Sequence, residues 1–100
     1  MVTYIALLNL TDQGLRNIKD TTKRAQAAQK LGKEFGVEFK SIHWTQGPFD
    51  VVIELQAKDE QSANAFLLAS ASLGNFHAQT LRAFSAEEMD KILAKVPKSA

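Results

Sequence analysis

One hundred residues, no cysteine, twelve basic against eleven acidic side chains and a formal charge of +1 describe a single small domain. The missing cysteine excludes disulfide frameworks, thiolate metal centres and cysteine nucleophiles, and the even charge balance gives no electrostatic pull toward a nucleic-acid backbone or an anionic bilayer. No apolar run approaches the ~20 residues that cross a membrane, and the start lacks a basic, long-apolar secretory leader, so the expected location is cytoplasmic.

Residues 2–9, VTYIALLN, are β-branched, aromatic and aliphatic, as suits a strand covered on both faces. Thr11 is placed to cap a helix, with Asp12 in the first turn. Leu15, Ile18, Thr22, Ala25, Ala28, Leu31 and Phe35 then recur at spacings of three and four, one apolar stripe of an amphipathic helix. The Asp20–Thr21–Thr22 stretch offers a second cap that splits this helix, and Gly36 stops it in the left-handed conformation.

Residues 37–45 alternate, TQGPF turns, and 50–56 returns as an antiparallel strand. A turn centred on Gly47 sets Trp44 against Asp50, Ile42 against Val52 and Lys40 against Glu54, a register that pairs opposite charges. Residues 59–73 read as a second helix, small and apolar almost all round, closed by Gly74–Asn75. Residues 76–84 form a fourth strand. Ser85 with Glu88 makes a capping-box pattern for a helix over 86–95, and 96–100 is a fraying tail.

This order predicts an α+β fold, a ferredoxin-like βαββαβ sandwich with an extra C-terminal helix, its two main helices on one face of a four-stranded antiparallel sheet. The strands carry Tyr4, Ile42, Trp44, Val52, Phe76 and Phe84, more apolar bulk than helices on one side cover. A second copy packed sheet to sheet, giving a dimeric α/β barrel with a pocket in the space left over, covers the other side. A monomer shielded by helix 86–95 is the alternative.

Polar residues within apolar strands mark a candidate site, because a buried polar group needs a partner. Asn9, His43, Asp50, Glu54, Thr80 and Arg82 qualify, with Trp44 as core or pocket wall. Asp50 and Arg82, converging across a barrel, would hold a small anionic or carbonyl ligand, or would fasten strands or subunits as an ion pair. His43 is either an acid–base group or a satisfied strand histidine. Two histidines on separate strands give little basis for a metal. The glycines fit no nucleotide loop, and the strands lack the aromatic and basic platform of an RNA-binding sheet. No cofactor, nucleic acid or membrane is expected.

The segments NLTDQGLRNIKD (9–20), HWTQGPFDVVIEL (43–55) and SLGNFHAQTLRAF (72–84) together resemble the GYD-domain family, over about residues 1–93. That resemblance implies a single domain over 1–95 of the dimeric α/β-barrel superfamily, among small, mostly bacterial and archaeal proteins without an assigned reaction. The glycine–aromatic–aspartate element falls on Gly47, Phe49 and Asp50, with phenylalanine where the family has tyrosine, so the phenolic hydroxyl is missing. The expected function is a homodimer, or a larger assembly of dimers, that binds a small molecule. Trp44, Asp50, Thr80 and Arg82 would line or brace its pocket, with cofactor-independent acid–base chemistry on a carbonyl or anionic ligand as an extension. The competing expectation is a non-catalytic structural or regulatory module in which helix 59–73 mediates assembly.

Overall fold

The computed structural model describes residues 1–99. Its strands are β1 (Val2–Leu10), β2 (Val37–Trp44), β3 (Val51–Ala57) and β4 (Phe76–Ala83). Its helices are α1 (Asp12–Arg16), α2 (Thr21–Glu34), α3 (Glu60–Ala71) and α4 (Ala86–Leu93), with a 3-10 turn at Ile18–Asp20. The sheet runs β2-β3-β1-β4 with every neighbouring pair antiparallel. This is the expected ferredoxin-like α+β arrangement, with the first and third strands central.

The local chemistry places the element ends. The Thr11 hydroxyl accepts from the Gly14 N–H at 3.1 Å and caps α1. The stripe expected over 15–35 breaks between Arg16 and Thr21, and the second cap falls at Asp20, whose side chain makes no capping bond. The Arg24 guanidinium closes the break by donating to the carbonyls of Asn17 at 2.6 Å and Gly14 at 3.3 Å. Leu15 and Ile18 therefore turn outward and are exposed, while Ala28, Leu31 and Phe35 pack on the core.

β1 alternates cleanly: Tyr4, Ala6 and Leu8 are buried beneath the helices with Val51, Ile53, Leu55 and Ala57 of β3. Phe66 of α3 closes this core, its ring 5.8 Å from Phe39 edge-on and 6.1 Å from Phe35.

The expected β2–β3 register holds only in part. Val37, Glu38 and Phe39 pair with Ala57, Gln56 and Leu55, continuing the same register. The ladder then shifts, so that Ser41 faces Glu54, Ile42 faces Ile53 and Trp44 faces Val51. Lys40 is the extra residue of a β-bulge, and its ammonium lies 3.7 Å from Glu38 rather than across from Glu54. The physical reason is parity. Phe39 and Ile42 are three apart, and both reach the helix side only if one residue between them is left unpaired.

The bulge also corrects the expected apolar load on the open sheet face. Directly paired residues share a face, so Tyr4, Ile42, Trp44 and Phe76 all lie on the helix side. The open face keeps a narrower stripe of Ile5, Leu7, Val52 and Leu81, bordered by His43, Glu54 and Gln79. No helix among the described residues is long and apolar enough to cross a membrane.

Two caps carry an acid-sensitive signature. The Ser62 N–H donates to Asp59 at 2.7 Å and, as the main cause, holds its carboxyl below the usual range. The Ser85 N–H does the same for Glu88 at 2.9 Å. A carboxyl depressed by folding contributes stability that is present above its unfolded range and is lost as pH falls through the folded value. Thermal melts followed by circular dichroism should therefore weaken below about pH 4. Asp59→Asn should flatten the share of this slope that comes from α3, since asparagine caps without titrating.

Candidate functional site

Small side chains leave space unfilled between the helices and the sheet. α2 turns Ala25 and Ala28 inward, and α3 offers Ser70 one turn after Phe66. A half-open cavity of about 230 Å³ remains between helices and sheet, with Ala6, Leu8 and Ile53 beneath it and Phe39 and Ile42 at its side. Its lining is almost wholly apolar. The exception in its depth is Ser70, 7% exposed, whose hydroxyl has no hydrogen-bond partner. A buried hydroxyl without a partner is uncommon, because its desolvation goes uncompensated.

The rim is polar and ordered. The Trp44 indole N–H donates to the Thr21 hydroxyl at 3.0 Å, tying the end of β2 to the first turn of α2. Arg24 and Asn75 complete the polar part of the lining. Trp44, 43% exposed, thus borders a half-open space that lies within one chain rather than between two.

The remaining sequence candidates do not gather there. Asp50 accepts from the Leu10 N–H at 2.9 Å, its own N–H donates to the Leu8 carbonyl at 2.8 Å, and its carbonyl accepts from Thr45. It ties the hairpin to the far end of β1. Arg82 stands opposite Tyr4 near the start of β1, so the two charges are separated by four to six strand residues, roughly 13–20 Å. Within one chain they do not converge. The Arg82 guanidinium is directed to the Thr3 and Ala83 carbonyls and lies 4.6 Å from the Phe84 ring and 5.8 Å from the Tyr4 ring. Thr80 is exposed on the uncovered part of β4, on the same face as Ala6. Asn9, beside His77, and His43, beside Val52, lie on the open face. No group of three or more metal-binding side chains occurs among the described residues.

Sequence reading missed Ser70. Its signal was present in the small, nearly all-apolar helix 59–73, where a serine four residues after a core phenylalanine falls on the buried side.

The comparisons with known proteins agree with this architecture. No curated protein matches the chain. The crystal structure of TTHA0845 from Thermus thermophilus superimposes with a TM-score of 0.56 at 23% identity, covering 86% of this chain and 96% of that one. The crystal structure of FFRP-DM1 gives a TM-score of 0.59 at 14% identity, covering 84% of this chain and 100% of its own. Both are likenesses of fold. The GYD domain family model matches residues 4–93, and the chain belongs to that family.

Proposed function

We propose that each chain binds a small, mostly apolar molecule in the cavity between α2, α3 and the sheet. The observation that carries this reading is the unpartnered Ser70 hydroxyl in a lining that is apolar apart from its rim. A cavity of about 150 Å³ with apolar walls accommodates benzene, so about 230 Å³ suits a single substituted ring or a short aliphatic chain. One hydrogen-bonding group on the ligand meets Ser70. The lining contributes no carboxylate or imidazole, which favours binding or carriage over acid–base chemistry. The protein works in this reading as a cytoplasmic homodimer, paired through the open sheet faces, whose stripe of Ile5, Leu7, Val52 and Leu81 lacks a cover in the single chain.

Benzyl alcohol and toluene test the proposal, with binding followed by calorimetry and by NMR shifts of Ser70 and Ile53. Benzyl alcohol should bind roughly 2–10-fold tighter, the worth of one hydrogen bond in such a site. Ser70→Ala should remove that preference, and Ser70→Leu should fill the space and abolish both. Equal binding of the two probes to the wild type, or shifts confined to the open sheet face, would overturn it.

A second reading, a non-catalytic assembly module, is favoured by the outer face of α3 and the turn after it. Leu68 is 72% and Leu73 65% exposed there. Higher assembly that Leu68→Lys abolishes, with the probes left unbound, would select it.

A further inference from the structure

α4 buries none of its residues against the body of the chain. The radius of gyration is 15.6 Å, against ~13 Å for a compact chain of this length. Met89, Ile92 and Leu93 nevertheless follow helical spacing, and bonds from Lys95 to Ile92 and from Val96 to Leu93 carry the turn on to Val96. The arm thus bears an apolar stripe, all of it exposed, with Lys95 at its border.

At the foot of the arm the open sheet face forms a groove of about 270 Å³, walled by Thr3, Ile5, Glu54, Gln56, Phe84 and Ser85. Its charge is the exposed Glu54 carboxylate. The arm does not fold back into its own groove, because only Phe84 and Ser85 separate it from β4. Ser85 is fixed in a reciprocal cap with Glu88, at 2.9 and 3.1 Å, which sets the direction of exit.

We infer that the α4 arm of each chain crosses to a second copy and lies in that copy's groove, with Lys95 beside the partner copy's acidic wall. Both halves of the contact, an apolar stripe with Lys95 on one flank near its free end and a mixed groove whose wall carries Glu54, occur once per chain, as a twofold exchange requires. The area also suits a pair. Leu81, Phe84, Met89, Ile92, Leu93 and Val96 are each about half exposed. Together they offer on the order of 500 Å², to which the mostly buried Ile5, Leu7 and Val52 add a little, so that apolar groups alone supply the larger part of the ~800 Å² per partner of a stable interface. The inference rests on the pairing through the open faces proposed above, and the test separates the two.

Sedimentation equilibrium of the full chain should give twice the 11.0 kDa chain mass. Replacing Ile92 and Leu93 together by Glu should raise the dissociation constant of the pair roughly 100-fold, about tenfold for each anchor. Far-UV circular dichroism should stay native, because the arm is not part of the core. Glu54→Lys should weaken the pair several-fold, and Lys95→Glu added to it should restore the affinity. A wild-type pair whose dissociation constant is unchanged in the double variant would overturn the arm exchange and leave the sheet pairing standing. Failure of the charge reversal to restore affinity would overturn the placement in the groove. A wild-type chain that stays single at every concentration would overturn the pairing and the exchange together.

Discussion

Phe66→Ala is expected to destabilise the fold by about 3–5 kcal/mol, the usual cost of truncating a buried phenylalanine. That is a large part of the ~5–15 kcal/mol that holds a domain together. Phe66 is 2% exposed and lies between Phe35, which ends α2, and Phe39, on β2 before the bulge. It is therefore the side chain through which α3 meets both the other large helix and the outer strand. Its neighbours have little to fill the gap with, because α2 presents alanines there and the adjoining space is already a cavity. Urea unfolding should show the midpoint falling by more than ~1 M at an ordinary slope. Phe66→Leu should cost much less. A loss below ~1 kcal/mol for the alanine variant would mean that the helices settle onto the sheet, and that the open space is not held by this ring.

Gly14→Ala should also destabilise, against the usual direction of that change in a helix, where alanine is favoured by ~1 kcal/mol. Gly14 is buried in the five-residue α1, and a Cβ there would collide with the Asn75 carbonyl oxygen and stand 3.2 Å from its carbonyl carbon. The obstacle is backbone, and it is clasped. The Thr11 N–H donates to that same oxygen at 3.1 Å, the Thr11 hydroxyl to the Gly74 carbonyl at 2.6 Å, and Gln13 to the Leu73 carbonyl at 2.9 Å. A methyl group must lift α1 off this turn or strain it, at a cost of roughly 1–3 kcal/mol. For a domain of this size each kcal/mol lowers the melting temperature by about 4–8 °C. A melting temperature that stays level or rises would show that α1 is free to tilt away.

The elements were legible in the sequence because short-range chemistry sets them: Thr11 and Ser85 as caps, Gly36 as a stop with φ of 73°, and a β-branched and aliphatic run for β1, although that strand buries only one face where the run suggested two. The β2–β3 register was legible only as far as Phe39. A bulge has no composition of its own, and the Lys40–Glu54 charge pairing that argued for an unbroken ladder competes with packing of Ile42 against the core. Burial is the larger effect: about 1.5–3 kcal/mol for an apolar side chain, against ~0.2–1 for a cross-strand pair. The site was less legible than the fold. Asp50, Thr80 and Arg82 stand out as polar residues within strands, and a sequence does not say that Asp50 and Arg82 sit at opposite ends of β1. Ser70 hides for the opposite reason, since a serine among alanines resembles any small helix position until its hydroxyl is found alone.

The unpaired Lys40 sets the rules by which this hairpin tolerates change. Substitution at that position alters only a side chain beside Glu38, and even its loss would let Ser41 follow Phe39 directly in the ladder, still facing Glu54, with Ile42 still facing Ile53. His43 would stay on the open face and the indole would stay beside Thr21. A single in-frame codon deletion here would thus be absorbed, at the cost of the extra local twist that a bulge adds. In this stretch the parity of the two faces governs viability more strictly than the number of amino acids.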